Sequence, residues 1–305
     1  MTRPAPDLAP VPLAEPVLLP EPEPEAVHRP TWGVNRLLEG CCLERLDEVP
    51  DASVHLVLCD LPYGTTRNKW DSVLPLDALW AAYERVLAPR GVVVLTGQGP
   101  FTARLILSRE DWFRYKLTWI KSKPTNFLNA RRQPLRRHED VCVFYPRQPV
   151  YRPQMQPGGA YDKGVRKDQH TGSYGDFEPV RVRSKGARFP TDVVYFKTAE
   201  SEGEVWHPTQ KPVALGRYLV RTFTGPGEVV LDNTFGSGSF LVAALLEGRN
   251  FFGIERNAEE TRFRREPIDL VAVARDRIAE AWATLPAPQR GWVRAAGELV
   301  PGAGR

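Results

Sequence analysis

Residues 228–240 read Glu-Val-Val-Leu-Asp-Asn-Thr-Phe-Gly-Ser-Gly-Ser-Phe, and this stretch decides the fold. An apolar run rich in valine ends at Asp232, and a glycine-rich turn follows it. Residues 239–247 then form an apolar run of helical length that stops at a glycine. A second apolar strand comes next, over residues 251–254, with Glu255 directly after it. Strand, turn, helix and strand in this order are typical of a parallel βαβ unit.

Further apolar segments that predict strands and helices lie before this unit and after it in the sequence. Short apolar runs predict strands over residues 54–59, 91–97, 116–120, 140–145 and 193–196. Apolar residues at helical spacing predict helices over residues 76–88 and 212–223, and residues 258–285 are predicted to be mostly helical with a break near Pro267. Because strands alternate with helices, we predict an α/β fold with a doubly wound, mostly parallel sheet.

Composition divides the chain into segments. Residues 1–30 contain nine prolines, which remove backbone donors and predict a disordered tail. The α/β core is predicted in two halves, residues 31–146 and 191–285. Between them, residues 147–190 are rich in Pro, Gly, Arg and Tyr and predict an irregular insertion whose length indicates a function. Residues 286–305 are expected to form a C-terminal tail.

Positive charge is concentrated in less than a quarter of the sequence. Residues 121–188 hold 15 Lys and Arg against 6 Asp and Glu, a balance of +9, whereas the whole chain carries only +4. Eight aromatic residues lie in or next to the same region, and aromatic rings beside arginines can stack on bases. This pattern is typical of a nucleic-acid interface, although a solvated surface would look the same without further motifs.

Several classes of protein are disfavoured. No stretch approaches the roughly 20 apolar residues of a membrane helix, and the N-terminus lacks a secretory signal pattern. The four cysteines, Cys41, Cys42, Cys59 and Cys142, contain no Cys-x-x-Cys pair, so no metal site is expected. A cytoplasmic protein with reduced thiols fits best.

The first motif is Asp60-Leu61-Pro62-Tyr63-Gly64, at the carboxyl end of a predicted strand. In open α/β sheets this edge is where ligands bind. Asp60 and a main-chain carbonyl could accept the two N–H groups of an amino group on a planar ring, and Tyr63 could stack on that ring. An ordinary strand-to-loop turn would read the same way.

The second motif is the turn of the opening stretch. Its glycines allow close backbone approach, and the following helix N-terminus favours an anionic group. The dinucleotide fingerprint Gly-x-Gly-x-x-Gly fails because Leu241 occupies its third glycine position. Since Glu255 could accept bonds from ribose hydroxyls, a nucleoside with a small charged tail fits this turn.

The third motif is His207-Pro208-Thr209-Gln210-Lys211-Pro212, just before a predicted helix. Thr209 could cap that helix, and Lys211 could pair with a carboxylate. Alone, this segment would be read as a helix start with a solvated lysine.

Together the three motifs resemble those of the amino-group DNA methyltransferases that use S-adenosylmethionine. Residues 60–63 resemble their Asp-Pro-Pro-Tyr catalytic motif, residues 232–239 their Phe-x-Gly-x-Gly donor motif, and residues 207–212 the His-Pro-Thr-x-Lys-Pro segment before it. The catalytic motif precedes the donor motif here, which is the circularly permuted order of the β group. The resemblance covers residues 32–278, and residues 121–139 look like phage-type and solo members.

The resemblance implies a Rossmann-like methyltransferase in which residues 31–146 form the catalytic half and residues 191–285 the donor-binding half. Asp60 and the Leu61 carbonyl would bind the target amino group, Pro62 would stiffen the turn, and Tyr63 would stack on a base flipped out of the duplex. S-adenosylmethionine is the implied cofactor. Its methionine portion and ribose would be held by Thr209, Lys211, Asp232, Thr234, Phe235, Gly236, Ser237, Gly238 and Glu255.

Double-stranded DNA is the implied partner, and residues 147–190 would read its sequence. The basic residues expected at the DNA are Lys121, Lys123, Arg131, Arg132, Arg136, Arg137, Arg152, Arg166, Lys167, Arg181 and Arg183. A homodimer is expected only by analogy with β-group relatives. No membrane association is expected, and the sequence identifies no partner restriction enzyme.

Two positions depart from the family pattern. Leu61 replaces the first proline of the catalytic motif, which keeps the carbonyl but loses some rigidity. Cys41 follows Gly40 where the family often has an acid, so the contact to the donor's adenine is in doubt.

The target base has two candidates. Asp60 favours adenine N6, because cytosine enzymes of the family more often carry serine there, and cytosine N4 is the alternative. No Pro-Cys pair occurs in the chain, which argues against the covalent carbon-5 cytosine mechanism.

More distant alternatives are also open. RNA and protein-glutamine methyltransferases usually place the donor motif first, so the order found here counts against them. A nucleotide-dependent oxidoreductase is disfavoured by the missing third glycine, and a DNA-binding protein without catalysis would bind duplex but transfer no methyl group.

Overall fold

The structure is a computed structural model, and it describes residues 14–21, 24, 26–66, 71–165, 181–257 and 262–294. Its strands are β1 (Arg36–Glu39), β2 (Val54–Cys59), β3 (Leu87–Gly97), β4 (Phe113–Thr125), β5 (Arg136–Phe144), β6 (Gln156–Pro157), β7 (Tyr161–Val165), β8 (Arg181–Ser184), β9 (Ala187–Arg188), β10 (Val193–Phe196), β11 (Val229–Asp232), β12 (Asn250–Glu255), β13 (Arg262–Phe263) and β14 (Glu266–Pro267). The α-helices are α1 (Cys42–Arg45), α2 (Leu76–Val86), α3 (Pro100–Ser108), α4 (Val213–Phe223), α5 (Ser239–Leu246), α6 (Leu270–Thr284) and α7 (Ala287–Trp292).

Eight of these strands form one sheet, in the order β1-β12-β11-β2-β3-β5-β4-β10. Within this sheet β5 runs antiparallel to both of its neighbours, and the other strand pairs are parallel. The predicted mostly parallel sheet is therefore confirmed.

Alternate residues of the central strands face two separate apolar layers. On β2, Leu56 and Leu58 pack with α4, α5 and α6, whereas Val57 and Cys59 pack with α1, α2 and α3. Because both faces of β2 are buried, the strand is apolar at every position except the partly buried His55. The helices on both faces confirm the doubly wound architecture.

The register of the central strands sets the position of the candidate motifs. Leu231 of β11 lies opposite Val57 of β2, and Asp232 lies opposite Gly253 of β12. Parallel strands end at the same edge of a sheet. Asp60 after β2, Asp232 at the end of β11 and Glu255 at the end of β12 therefore meet at one edge.

Two boundaries differ from those predicted. The helix over residues 76–88 ends at Val86, and β3 begins at Leu87 and continues through the Pro-Arg-Gly segment. The prediction that residues 258–285 are mostly helical was wrong for residues 262–267, where β13 and β14 form an antiparallel pair. Helix α6 begins only at Leu270, because the Asp269 side chain caps it by accepting a hydrogen bond from Ala272 N at 2.9 Å.

Strand β1 and helices α1, α3 and α7 were not predicted from the sequence pattern. Within the predicted insertion, the structure places two short antiparallel pairs, β6 with β9 and β7 with β8. Residues 166–180 lie outside the described part of the chain. Among the described residues, none of the helices has the length and apolar character needed to cross a membrane.

The described part of the proline-rich segment has no helix or strand, but it makes specific contacts with the core. The fully buried Arg249 side chain donates hydrogen bonds to both carboxylate oxygens of Glu21, at 2.5 and 2.9 Å. Arg221 donates to the carbonyl of Leu19 at 2.5 Å, and Leu18 packs on an apolar layer. These contacts hold residues 18–21 against the core, where the sequence predicts a disordered tail, and the carboxylate of Glu21 offsets the charge of the buried guanidinium. Residues 1–13, 22, 23 and 25 of the predicted tail lie outside the described part of the chain.

We expect Glu21→Gln to lower the free energy of unfolding by about 3 kcal/mol, because it leaves the buried Arg249 without its counter-charge. Urea denaturation followed by tryptophan fluorescence measures this change. Glu44→Gln is the matched control, because Glu44 is exposed on α1 and should change stability by less than about 0.5 kcal/mol. Equal stability of the two variants would show that the proline-rich segment does not support the core.

Candidate functional site

A cavity of about 520 Å³ lies at the carboxyl edge of the sheet. It is lined by residues of all three sequence motifs, so it brings together segments that are up to 195 residues apart in the sequence (60 to 255). The candidate residues on its walls are Asp60, Leu61, Pro62, Tyr63, Lys121, Arg136, Thr209, Lys211, Asp232, Thr234, Phe235, Gly236, Ser237 and Glu255.

Asp60 is the centre of a hydrogen-bonded corner of this cavity. Its Oδ1 accepts hydrogen bonds from the hydroxyls of Tyr63, at 2.7 Å, and of Thr96 at the end of β3. Its Oδ2 accepts from the ammonium group of Lys211. The Thr234 hydroxyl donates to the Asp60 carbonyl at 3.2 Å, which ties the first motif to the second. The carboxylate is therefore held from three sides at the cavity wall.

Tyr63 is fixed by packing as well as by its hydroxyl. Its ring stacks on Phe101 of α3, with centroids 5.0 Å apart and planes 25° apart. Burial, followed by the nearby Asp60 and Glu139 carboxylates, raises the pKa of Tyr63 well above its ordinary value. The phenol is therefore neutral and donates to Asp60.

Glu139 is a site residue that the sequence analysis missed. It lies on β5, and its Oε1 accepts from Lys121 Nζ at 2.9 Å, while Oε2 lies 3.4 Å from Lys211 Nζ. Burial alone would raise the pKa of Glu139, but the Lys211 and Lys121 ammonium groups hold it below its ordinary value. Burial would likewise lower the pKa of Lys211, but Asp60 and Glu139 raise it.

The result is a buried network of two ammonium groups and two carboxylates, made by Lys121, Glu139, Lys211 and Asp60. Their formal charges cancel. Lys121 is only 4% exposed, which differs from the expectation that it contacts DNA phosphates. Lys211 was predicted at the donor's methionine portion, and its contacts here are with Asp60 and Glu139.

The glycine turn after β11 lies beside this corner and forms another part of the cavity wall. The amide of Gly236 donates to Glu255 Oε2 at 2.8 Å, and that of Asn257 donates to Oε1 at 3.2 Å. A Cβ atom at Gly236 would meet nothing within 4 Å, so the space beside this turn is open to the cavity. Burial raises the pKa of Glu255, and it raises that of Asp232 well above its ordinary value.

Gly238 has a packing role in this turn. It does not line the cavity, and a Cβ atom there would lie 2.9 Å from the Cβ of Ala274 on α6. Its φ of +79° is also one that favours glycine. Arg277 of α6, another residue that the sequence analysis missed, donates to the Ser237 carbonyl at 2.5 Å and so supports the turn from behind.

The segment before α4 differs from its predicted capping. The prediction that Thr209 caps the helix was wrong, because Thr209 lies four residues before Val213 and its hydroxyl is 3.0 Å from His207 Nδ1. Instead, the Glu202 carboxylate accepts hydrogen bonds from Val213 N and Ala214 N at 2.7 and 2.8 Å. Burial lowers the pKa of His207 to about 4, so the imidazole is neutral at neutral pH.

The basic residues predicted at the DNA fall into three groups. Around the turn after β4, the exposed ones are Lys123, Arg131, Arg132, Arg136 and Arg137. Arg152 lies 3.8 Å from Glu21, Arg181 pairs with Asp162 at 2.6 Å, and Arg183 is exposed on β8. Arg166 and Lys167 lie outside the described residues. Five of the predicted contacts therefore cluster beside the cavity.

Comparison with known proteins agrees with this geometry. A family model described as DNA methylase, for N6 and N4 enzymes, matches residues 54–264, which is more than half of the chain. The type II methyltransferase M.HinfI of Haemophilus influenzae is 24% identical over 258 residues, which cover 73% of this chain and 65% of that relative. The matched region thus spans just under two thirds of that relative's length.

Two solved structures share the fold of this chain. The complex of M1.HpyAVI with SAM gives a TM-score of 0.54 at 18% identity, covering 80% of this chain and 98% of that chain. The cytosine-N4-specific PvuII DNA methyltransferase gives a TM-score of 0.54 at 15% identity, covering 84% and 93%. At these identities the likeness shows a shared fold.

The buried network makes stability depend on pH. The pKa of Glu139 is lowered in the folded protein, so its ionised carboxylate stabilises the fold at pH values above its ordinary pKa of 4.5. This stabilisation is lost as the pH falls through the lowered pKa of the folded protein. We expect Glu139→Gln to be less stable than the wild type by about 2 kcal/mol at neutral pH. This gap should shrink at pH values below 4.5.

Urea denaturation at a series of pH values measures this gap, with Glu44→Gln as the exposed control. A gap that stays constant as the pH falls below 4.5 would contradict the charge assignment of Glu139.

Proposed function

Since this chain belongs to the DNA methylase family, we propose that it transfers a methyl group from S-adenosylmethionine to an exocyclic amino group of a base in double-stranded DNA. The observation that supports this proposal most strongly is the single cavity shared by Asp60-Leu61-Pro62-Tyr63 and the glycine turn with Glu255. One motif offers acceptors for an amino group, and the other offers a nucleoside site. The proposed transfer requires both in the same space.

The residues of the cavity fit this cofactor. Its volume lies in the range of roughly 300–1,000 Å³ that is common for small-molecule sites. Burial disfavours the ionised forms of Asp232 and Glu255, and a ligand with an ammonium group and ribose hydroxyls would compensate them. Asp232, Thr234 and residues 235–237 would hold the methionine portion, and Glu255 the ribose. When bound, S-adenosylmethionine supplies a methyl group activated by its sulfonium charge.

The Asp60 corner would bind and activate the target amine. An exocyclic amine is a poor nucleophile, because its lone pair is delocalised into the ring. By accepting the two N–H groups, Asp60 and the Leu61 carbonyl would turn the lone pair towards the methyl carbon. As the nitrogen–methyl bond forms and the sulfonium–methyl bond breaks, positive charge would develop on nitrogen, next to the Asp60 carboxylate, which would stabilise it. The acidified N–H would then lose its proton to Asp60 or to water, and the donor would leave as the neutral thioether.

Tyr63 would support this geometry from the side. Phe101 and the bond to Asp60 hold its ring at the cavity wall, where it would stack on a base flipped out of the duplex. Such stacking is worth about 1–3 kcal/mol and offsets part of the unstacking cost.

The target base is proposed to be adenine, at N6. Asp60 supports this choice only through the family pattern, and cytosine N4 is the alternative because both amino groups fit the same acceptors. Mass spectrometry of nucleosides from duplex DNA incubated with the protein and S-adenosylmethionine tests both. N6-methyladenine is the expected product, and N4-methylcytosine would reverse the base assignment. The absence of both products would contradict the proposed function.

We expect Asp60→Ala to reduce methyl transfer at least 10²-fold, because the amine loses its charged acceptor. Donor binding should change less than about threefold, since the residues proposed to hold the donor are those of the glycine turn and Glu255. Radiolabelled methyl incorporation and calorimetric titration measure the two effects. Asp77→Ala, at an exposed site on α2, is the control. Loss of donor binding in Asp60→Ala would show that Asp60 also holds the donor, which contradicts the proposed separation of the two roles.

DNA binding is expected to weaken steeply with salt. The five exposed basic residues beside the cavity, if each meets a phosphate, predict a loss of roughly 500-fold between 50 and 200 mM salt. Arg131→Ala with Arg132→Ala should lower the slope by about 2. The control Arg114→Ala, at the far end of β4, should leave the slope unchanged. Fluorescence anisotropy with labelled duplex measures the affinity at each salt concentration. An affinity that does not change with salt would show that this surface does not contact DNA.

A further inference from the structure

The turn after β4 exposes two large apolar side chains. Phe127 is 65% exposed and Leu128 is fully exposed, and they are neighbours in a short 3₁₀ turn of residues 127–129. Apolar side chains that point into water bury no surface in the fold. Two such side chains next to each other form a contiguous apolar surface, which is typical of an interaction site.

The turn is held in a defined shape. Asn126 has a φ of +72°, a conformation that asparagine tolerates better than most residues. Asn129 Nδ2 donates to Asn126 Oδ1 at 2.8 Å, and the amides of Ala130 and Arg132 donate to the carbonyls of Phe127 and Asn129, at 3.1 and 2.8 Å. The apolar pair is therefore presented by a structured turn.

The turn stands at the mouth of the cavity. Thr125 and Asn126, directly before the apolar pair, line the cavity, and so does Arg136, which pairs with Thr125 across the strands. Asn126 Nδ2 is buried and has no hydrogen-bond partner in the described part of the chain. Such a donor costs free energy until a ligand supplies an acceptor.

The charge around the pair identifies its partner. The five exposed basic residues at positions 123, 131, 132, 136 and 137 flank the apolar pair in the sequence, on β4, β5 and the segment between them. An apolar pair flanked by basic residues matches duplex DNA, in which an apolar base stack lies between two rows of phosphates.

We propose that Phe127 and Leu128 form a wedge that enters the base stack at the target base pair and fills the space of the flipped base. This inference rests on the proposed function. The target nucleotide must leave the duplex to reach Asp60. Apolar side chains inserted between base steps unstack them and occupy the gap. The wedge acts on the duplex, whereas the Asp60 corner acts on the extruded base.

The test compares two DNA substrates that differ only in the cost of extrusion. One is a duplex with the normal target pair, as mapped from the methylated product. The other is the same duplex with an abasic site opposite the target base, which leaves that base unpaired. The Phe127→Ala/Leu128→Ala variant should lose at least 10²-fold in kcat/KM on the normal duplex and less than about threefold on the abasic one.

Leu107→Ala is the matched control, because Leu107 is 72% exposed on α3 and should change neither rate. Phe127→Trp/Leu128→Met keeps apolar volume and should retain activity on the normal duplex. The fluorescence of 2-aminopurine at the target position reports extrusion without catalysis, and it should rise with the wild type but not with the double alanine variant.

Equal losses on both duplexes, or unchanged activity on the normal duplex, would overturn the wedge. A change from dimer to monomer in sedimentation would also overturn it, because it would assign the turn to an interface between two copies. If the wild type methylates neither duplex, the proposed function fails, and the wedge fails with it. Methylation by the wild type together with unchanged extrusion in the variant would overturn the wedge alone.

Discussion

The parallel pairing of β11 with β2 is the constraint on which the site depends. Leu56 and Val57 of β2 lie opposite Val230 and Leu231 of β11, although the two strands are separated by about 170 residues. This register puts the ends of both strands at one edge, where the Thr234 hydroxyl bonds the Asp60 carbonyl. Without this pairing the two motifs would have no common cavity. The circular order of the motifs is therefore compatible with one site, because the sheet and not the chain order sets their distance.

Charge balance is the second constraint. Lys121 and Lys211 are buried ammonium groups, and each is acceptable only because Glu139 or Asp60 accepts its hydrogen bonds. The network keeps Lys211 at the Asp60 carboxylate and leaves the corner neutral in sum. Near the glycine turn the condition differs, since burial disfavours the charged forms of Asp232 and Glu255. A ligand with a cationic group would compensate these two carboxylates, whereas the Asp60 carboxylate already has the Lys211 ammonium group as its counter-charge.

Much of the candidate site could be predicted from the sequence, because the carboxyl ends of parallel strands lie at one edge of the sheet. Acids that directly follow buried strands lie at the carboxyl edge, which placed Asp60, Asp232 and Glu255 correctly. Glu139 escaped the rule because β5 is antiparallel, so its beginning lies at that edge. Lys121 shares the alternation of the buried Leu117 and Trp119 on β4, a signal that the local excess of basic residues obscured. The Glu21–Arg249 pair could not be predicted, since nothing near either residue indicates the other.

The central proposal is that one cavity holds the target base at the Asp60 corner and S-adenosylmethionine at the glycine turn and Glu255. A crystal structure with target duplex and an unreactive analogue of S-adenosylmethionine tests it most directly. The account predicts a flipped base whose amino nitrogen lies within hydrogen-bond distance of Asp60 and the Leu61 carbonyl, with the analogue's ribose at Glu255. A base that stays stacked, or an analogue bound at the Asp60 corner, would contradict it.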